Sequence, residues 1–114
     1  MITLTNVGSA YDAIAGSRGL GIMDIDFTGI TQVLFKVRVN KVGTGTQSWQ
    51  LWNETDGIEI GVIADGGAAG DNKLLSATFV VSLSGIKTVR VRAKSTTAGD
   101  DPVYYGASVL PRVA

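Results

Sequence analysis

Few residues in this chain can do chemistry. It contains no histidine and no cysteine, which removes imidazole acid–base work, thiolate nucleophiles, disulfides and the usual zinc ligands together. Carboxylates remain. Asp24 with Asp26, Asp65 with Asp71 and Asn72, and Asp100 with Asp101 are oxygen-rich groups of the kind a hard cation such as Ca²⁺ accepts. None has the spacing of an EF-hand loop, and Asp and Asn serve equally well as turn formers that bond their own backbone, so no metal and no cofactor is expected. Glycoside cleavage needs two carboxylates facing each other across a cleft. Glu54, Glu59 and the scattered aspartates single out no such pair, and the chain is read as noncatalytic. The run Gly66-Gly67-Ala68-Ala69-Gly70 lacks the Lys-Ser/Thr ending of a phosphate loop and is read as a flexible loop.

Aromatic and basic residues point to binding instead. Trp49 and Trp52 are three apart, so in a regular strand their side chains leave on opposite faces, Trp49 with Leu51 and Trp52 with Ser48 and Gln50. Tyr104 and Tyr105 are adjacent, and the phase of Val103, Ala107 and Val109 sends Tyr104 outward. An outward Trp52 and Tyr104 are rigid apolar plates with a polar handle, suited to stacking on a sugar ring or anchoring a protein partner. A bulge that returned Trp52 to the core would remove it from that role. Lys36, Arg38, Arg90, Arg92 and Lys94 fall on the outward phase of two strands. If those strands are neighbours they form one basic exterior, either a docking face for an acidic protein or a charged guard against edge-to-edge aggregation. With the outward Leu34, the candidate binding residues are Trp52, Tyr104, Leu34, Arg38, Arg90 and Arg92.

The elements that position these residues repeat with a period of two, which is the signature of strands. Val33, Phe35, Val37 and Val39 share one face of Thr31 to Val39, with Lys36 and Arg38 on the other. Val89, Val91 and Ala93 do the same within Ile86 to Lys94. Leu75, Ala77, Phe79, Val81 and Leu83 form a third inward row, and Val103, Tyr105, Ala107 and Val109 a fourth. Ile2 to Thr5, Gly21 to Phe27, Gln47 to Asn53 and Ile58 to Ala64 complete about eight strands. Between them lie turn-forming breaks: Val42-Gly43-Thr44-Gly45, Thr55-Asp56-Gly57, Asp65 to Asn72, and Ser84-Gly85. Ser9 to Leu20 has no phase and reads as a loop or a broken edge strand. The prediction is one all-β domain over 1–114, a two-sheet antiparallel β-sandwich of jelly-roll type.

Charge and hydropathy limit the partners. Ten Lys and Arg balance ten Asp and Glu, so there is no cationic excess with which to displace counterions from a nucleic acid. No apolar run approaches the length of a membrane span. The segment Met1-Ile2-Thr3-Leu4-Thr5-Asn6 has neither the basic nor the long apolar region of a secretory signal, which leads to the expectation of folding in cytosol. Charged residues are 18% of the chain, below the roughly 25% usual for soluble domains, and mean hydropathy is +0.24. A chain of this composition is expected to cover part of its surface in an assembly.

The run Gly43-Thr44-Gly45-Thr46-Gln47-Ser48-Trp49-Gln50-Leu51-Trp52, with Phe79-Val80-Val81-Ser82-Leu83-Ser84-Gly85-Ile86-Lys87-Thr88-Val89-Arg90-Val91, resembles the central hairpins of jelly-roll domains. Two groups share that cadence: the carbohydrate-binding modules of secreted glycosidases, and the small jelly-roll proteins that bacteriophages use as capsid decorations and tail appendages. The closing segment Ser95-Thr96-Thr97-Ala98-Gly99-Asp100-Asp101-Pro102-Val103-Tyr104-Tyr105-Gly106-Ala107 is more similar to the phage proteins. The resemblance extends over about Val33 to Leu110. It implies a noncatalytic virion protein, assembled in the host cytoplasm, that forms a homo-oligomer, with a trimer as the leading stoichiometry, and docks on other virion proteins. A glycan-binding module is the alternative.

Overall fold

The computed structural model describes residues 2–3, 23–43, 45–96 and 103–113. Eight strands follow in chain order: β1 (Ile2–Thr3), β2 (Met23–Asp26), β3 (Gln32–Lys41), β4 (Gln47–Asn53), β5 (Ile58–Asp65), β6 (Gly70–Val80), β7 (Ile86–Ser95) and β8 (Val103–Arg112). They form two four-stranded sheets, ordered β1-β8-β3-β6 and β2-β7-β4-β5. All the pairings are antiparallel. The chain therefore doubles back at the β4–β5 hairpin into a long ribbon that pairs β4 with β5, β3 with β6, β2 with β7 and β1 with β8. Successive segments of this ribbon lie in opposite sheets, which is the winding of a jelly roll.

The core is the space between the sheets. Val33, Phe35, Val37 and Val39 of β3 are fully buried, as are Trp49 and Leu51 of β4 and Val89 and Val91 of β7, with Phe27 closing one end. Each such side chain contributes roughly 1.5–3 kcal/mol through burial. The alternation expected for β3 and β7 is present in full. Edge strand β6 differs. Leu75 and Phe79 point inward and pack on the core but remain half-buried; among the described residues β6 has a neighbouring strand on one flank alone. The ring of Phe79 lies against the backbone of β5, where a Cβ added to Gly61 would run into the ring. That glycine is the close-approach point of the two sheets on this side.

Three connections follow the expected turn chemistry. In the β4–β5 hairpin Asn53 bonds the Asp56 amide and carboxylate, and Gly57 takes a positive φ of 68°. Lys87 reaches the same Asp56 carboxylate at 2.9 Å, and these bonds, that from Lys87 first, hold the Asp56 carboxyl below its ordinary value. Gly43 and Gly85 also adopt positive φ. The glycine-rich loop is shorter than expected, occupying only 66–69, because β5 runs to Asp65 and β6 begins at Gly70. The unphased stretch Ser9 to Leu20, residues 4–5 of the first predicted strand and the Asp100-Asp101 pair lie outside the described residues.

Candidate interaction surfaces

The sandwich has two outer faces, and the six candidate residues do not gather on either. Leu34 and Arg38 project from β3 onto the face of the β1-β8-β3-β6 sheet, whereas Trp52, Arg90 and Arg92 project from β4 and β7 onto the opposite face. The condition for one basic exterior fails: β3 and β7 lie in different sheets, so Lys36 and Arg38 are separated from Arg90, Arg92 and Lys94 by the whole core.

Tyr104 requires a correction. It is inward and 6% exposed, stacked on Trp49 with ring centroids 6.0 Å apart. The reason is a bulge: Arg38 pairs with Gly106 and Val39 with Tyr104, leaving Tyr105 as an extra residue in β8. The phase set by Ala107 and Val109 therefore reverses before Tyr104. Burial pushes the Tyr104 hydroxyl up to about 12. The outward tyrosine is Tyr105, whose hydroxyl donates to Asp71; that bond, more than its modest desolvation, raises the Tyr105 hydroxyl above its ordinary value.

On the β2-β7-β4-β5 face several polar side chains engage one another. The Arg92 guanidinium lies 4.4 Å from the Trp52 ring centroid, a cation–π contact that covers the indole. Trp52 is outward, as its spacing from Trp49 requires, but it is half-buried and not an open plate. Gln50 donates to Glu59 at 2.9 Å, Thr88 to Asp24 at 2.7 Å, and Arg90 approaches Glu54 at 3.4 Å. Ser48 and Gln50 are outward by phase and still buried, which sequence spacing alone could not reveal.

The other face is open. Cross-strand rows read Arg112, Gln32, Val80; then Leu110, Leu34, Thr78; then Ser108, Lys36, Ser76; then Gly106, Arg38, Leu74. Leu74 is 50% exposed, Leu110 52% and Val80 82%. Small residues on β8 leave a depression of about 470 Å³ walled by Lys36, Arg38, Tyr105, Ser108 and Leu74. Arg38 is held at its rim by Asn72, through both the side-chain oxygen and the carbonyl. Lys36 joins no ion pair among the described residues. Of this face the sequence had offered Leu34, Lys36 and Arg38. Leu74, Val80 and Tyr105 were missed because Leu74 and Val80 flank an inward row and Tyr105 was assigned to the interior.

The carboxylates serve the fold. Asp65 is buried, binds Lys73 through both oxygens at 2.9 Å and caps the Gly67 amide. Asp71 holds Tyr105, and Asp26 accepts from the Thr28 amide, which lowers its own carboxyl. Among the described residues no three Asp or Glu converge as a metal site. No protein-family model matches the chain, and no curated protein matches it.

Proposed function

We propose that this protein is a noncatalytic structural subunit of a bacteriophage virion, a capsid decoration or tail accessory, that self-associates and docks on other virion proteins. The observation that carries this reading is the open face of the β1-β8-β3-β6 sheet, where Leu34, Leu110 and Val80 cluster on one side of Lys36 and an exposed Leu74 lies beside Arg38 on the other. Contiguous apolar surface bordered by charge marks a protein interface more often than solvent-facing surface. The jelly-roll winding adds support by analogy alone, since viral capsid domains and lectins both use it. Assembly of such a subunit belongs in the host cytoplasm and its final location in the virion.

Glycan binding has one observation in its favour. The depression beside Tyr105 offers the donors of Lys36, Arg38 and Ser108 around an aromatic edge, a set suited to sugar hydroxyls. Its flat aromatic partner would be Trp52, and that indole is on the other face under Arg92. A virion-binding assay and a glycan array run on one preparation separate the two. Attachment to capsids or tails that Leu110→Asp abolishes supports the docking role. Saturable glycan binding lost on Tyr105→Ala, with no attachment to any virion part, replaces it with the carbohydrate-binding one.

A further inference from the structure

The sandwich leaves strand edges, and proteins ordinarily blunt an edge with charge, proline, a bulge or brevity. Strand β2 is four residues long and carries Asp24 and Asp26. Strand β5 carries Glu59 and Asp65 and is bulged at Ile60, since Leu51 pairs with Gly61 and Trp52 with Glu59. Strand β8 beyond the two-residue β1 carries Pro111 and Arg112. Strand β6 has these devices only at its start, where Asp71, Lys73 and the positive φ of Asn72 interrupt the ladder. From Leu74 to Ile86 there is no charged residue and no proline, and among the described residues β6 pairs with β3 alone.

The segment 74–80 is also self-complementary. It reads Leu-Leu-Ser-Ala-Thr-Phe-Val, and about Ala77 the classes mirror each other: Ser76 with Thr78, Leu75 with Phe79, Leu74 with Val80. Mirror positions lie on the same face, so an antiparallel copy sets hydroxyl against hydroxyl and apolar against apolar. The backbone agrees. The Val81 amide donates to the carbonyl of Thr31, the residue just before β3, and this continues the β3–β6 register, so by alternation Leu75, Ala77 and Phe79 turn their amides and carbonyls toward β3, while Leu74, Ser76, Thr78 and Val80 turn theirs to the open flank.

We propose that β6 pairs with β6 of a second copy of this chain, antiparallel about a twofold axis at Ala77, joining two four-stranded sheets into one of eight strands. Leu74 and Val80 then exchange main-chain bonds across the axis, as do Ser76 and Thr78, giving roughly eight interchain hydrogen bonds against the ten or so of a standard interface. The contact is roughly 24 Å long. With the exposed Leu74 and Val80 side chains meeting, it reaches about the 1,000 Å² lower bound for a specific interface, so micromolar affinity is expected. The pairing is isologous and closes at two, not at the three subunits the resemblance implied. It specifies the self-association half of the proposed function and rests on that half alone.

Sedimentation equilibrium at tens of micromolar tests it. The wild type is expected at twice 11.9 kDa, and Thr78→Lys, an exposed position at the edge, at the monomer mass with its circular dichroism unchanged. Ala77 faces its own copy in a non-hydrogen-bonded pair about 4.5 Å apart at Cα, within disulfide reach. Because the chain has no cysteine, Ala77→Cys is expected to oxidise to a covalent dimer, and Ala64→Cys, exposed on the β5 edge, to stay monomeric on a non-reducing gel. A monomeric wild type overturns this pairing and the self-association half of the proposed function together. An oligomer that survives Thr78→Lys, fails to crosslink through Ala77→Cys, or has trimer mass overturns the β6 pairing alone.

Discussion

Across the β2-β7-β4-β5 sheet the outward side chains find partners on their own face: Arg92 on Trp52, Gln50 on Glu59, Thr88 on Asp24. Across the β1-β8-β3-β6 sheet the outward residues include the aliphatics Leu110, Leu34, Val80 and Leu74, set among the small hydroxyls of Ser76, Thr78 and Ser108 and the Lys36 and Arg38 side chains. The first face holds the residues that advertise binding, tryptophan and arginine, and has used them internally. The second holds plain aliphatics and leaves them in water. Residue type alone therefore misjudges a face; whether its neighbours already complete its interactions decides what it can offer a partner.

The two faces share one interior, so the largest expected effect removes both. Phe35 is fully buried on β3, one of the two inner strands of its sheet, and meets Phe79 at 6.4 Å between ring centroids. Phe35→Ala is expected to cost about 3–5 kcal/mol, as large-to-small core changes do. Urea unfolding followed by circular dichroism measures it, and a loss under about 1 kcal/mol would mean that the assigned interior is wrong.

Next in size is a pH effect confined to the core. The Tyr104 hydroxyl, raised by burial to about 12 from the ordinary 10, favours the neutral form in the fold. Its contribution is complete below pH 10 and is lost as pH rises toward 12, because the unfolded chain releases this proton first. The loss is expected to be at most about 3 kcal/mol, seen as a fall in urea midpoint over that window. Tyr104→Phe should reduce the fall over this window without abolishing it, since the Tyr105 hydroxyl is raised as well by its bond to Asp71. Since Tyr104 stacks on Trp49, a change in tryptophan emission should accompany the transition.

Much of this architecture could be read from alternation. The rows Val33 to Val39 and Val89 to Ala93 are legible because a strand with one buried face repeats strictly every two residues, and the hairpin at Thr55-Asp56-Gly57 because its turn demands those residue types. The candidate surfaces were less legible, for two physical reasons. A bulge shifts phase, and the one at Tyr105, marked in the sequence only by Gly106 inside the strand pattern, exchanged the roles of two adjacent tyrosines. Strand neighbours are set by long-range pairing, so nothing local said that β3 and β7 belong to different sheets.

Trp52→Ala tests the closed face. The variant loses the Arg92 contact, worth about 0.5–2 kcal/mol, together with part of its apolar burial. A stability loss of roughly 1–2 kcal/mol is expected, with molecular mass in solution unchanged. A Trp52→Ala protein of unaltered stability that no longer assembles would assign the docking role to this face and reverse the comparison.

The smallest change in stability is expected where the effect on association is clearest. Leu110 is half-exposed and sits beside Leu34 on the open face, so Leu110→Asp removes little burial and places its carboxylate in water. Surface substitutions of this kind stay within about 0.5 kcal/mol, and the urea midpoint should barely move. At an interface the same aspartate is desolvated against apolar neighbours, and an unpaired buried charge is strongly unfavourable. Docking on a virion partner should therefore fall by at least about tenfold, the equivalent of roughly 1.4 kcal/mol, in a co-sedimentation assay. If Leu110→Asp destabilises the monomer as much as it weakens docking, the face is folding surface and the distinction between the two sheets fails.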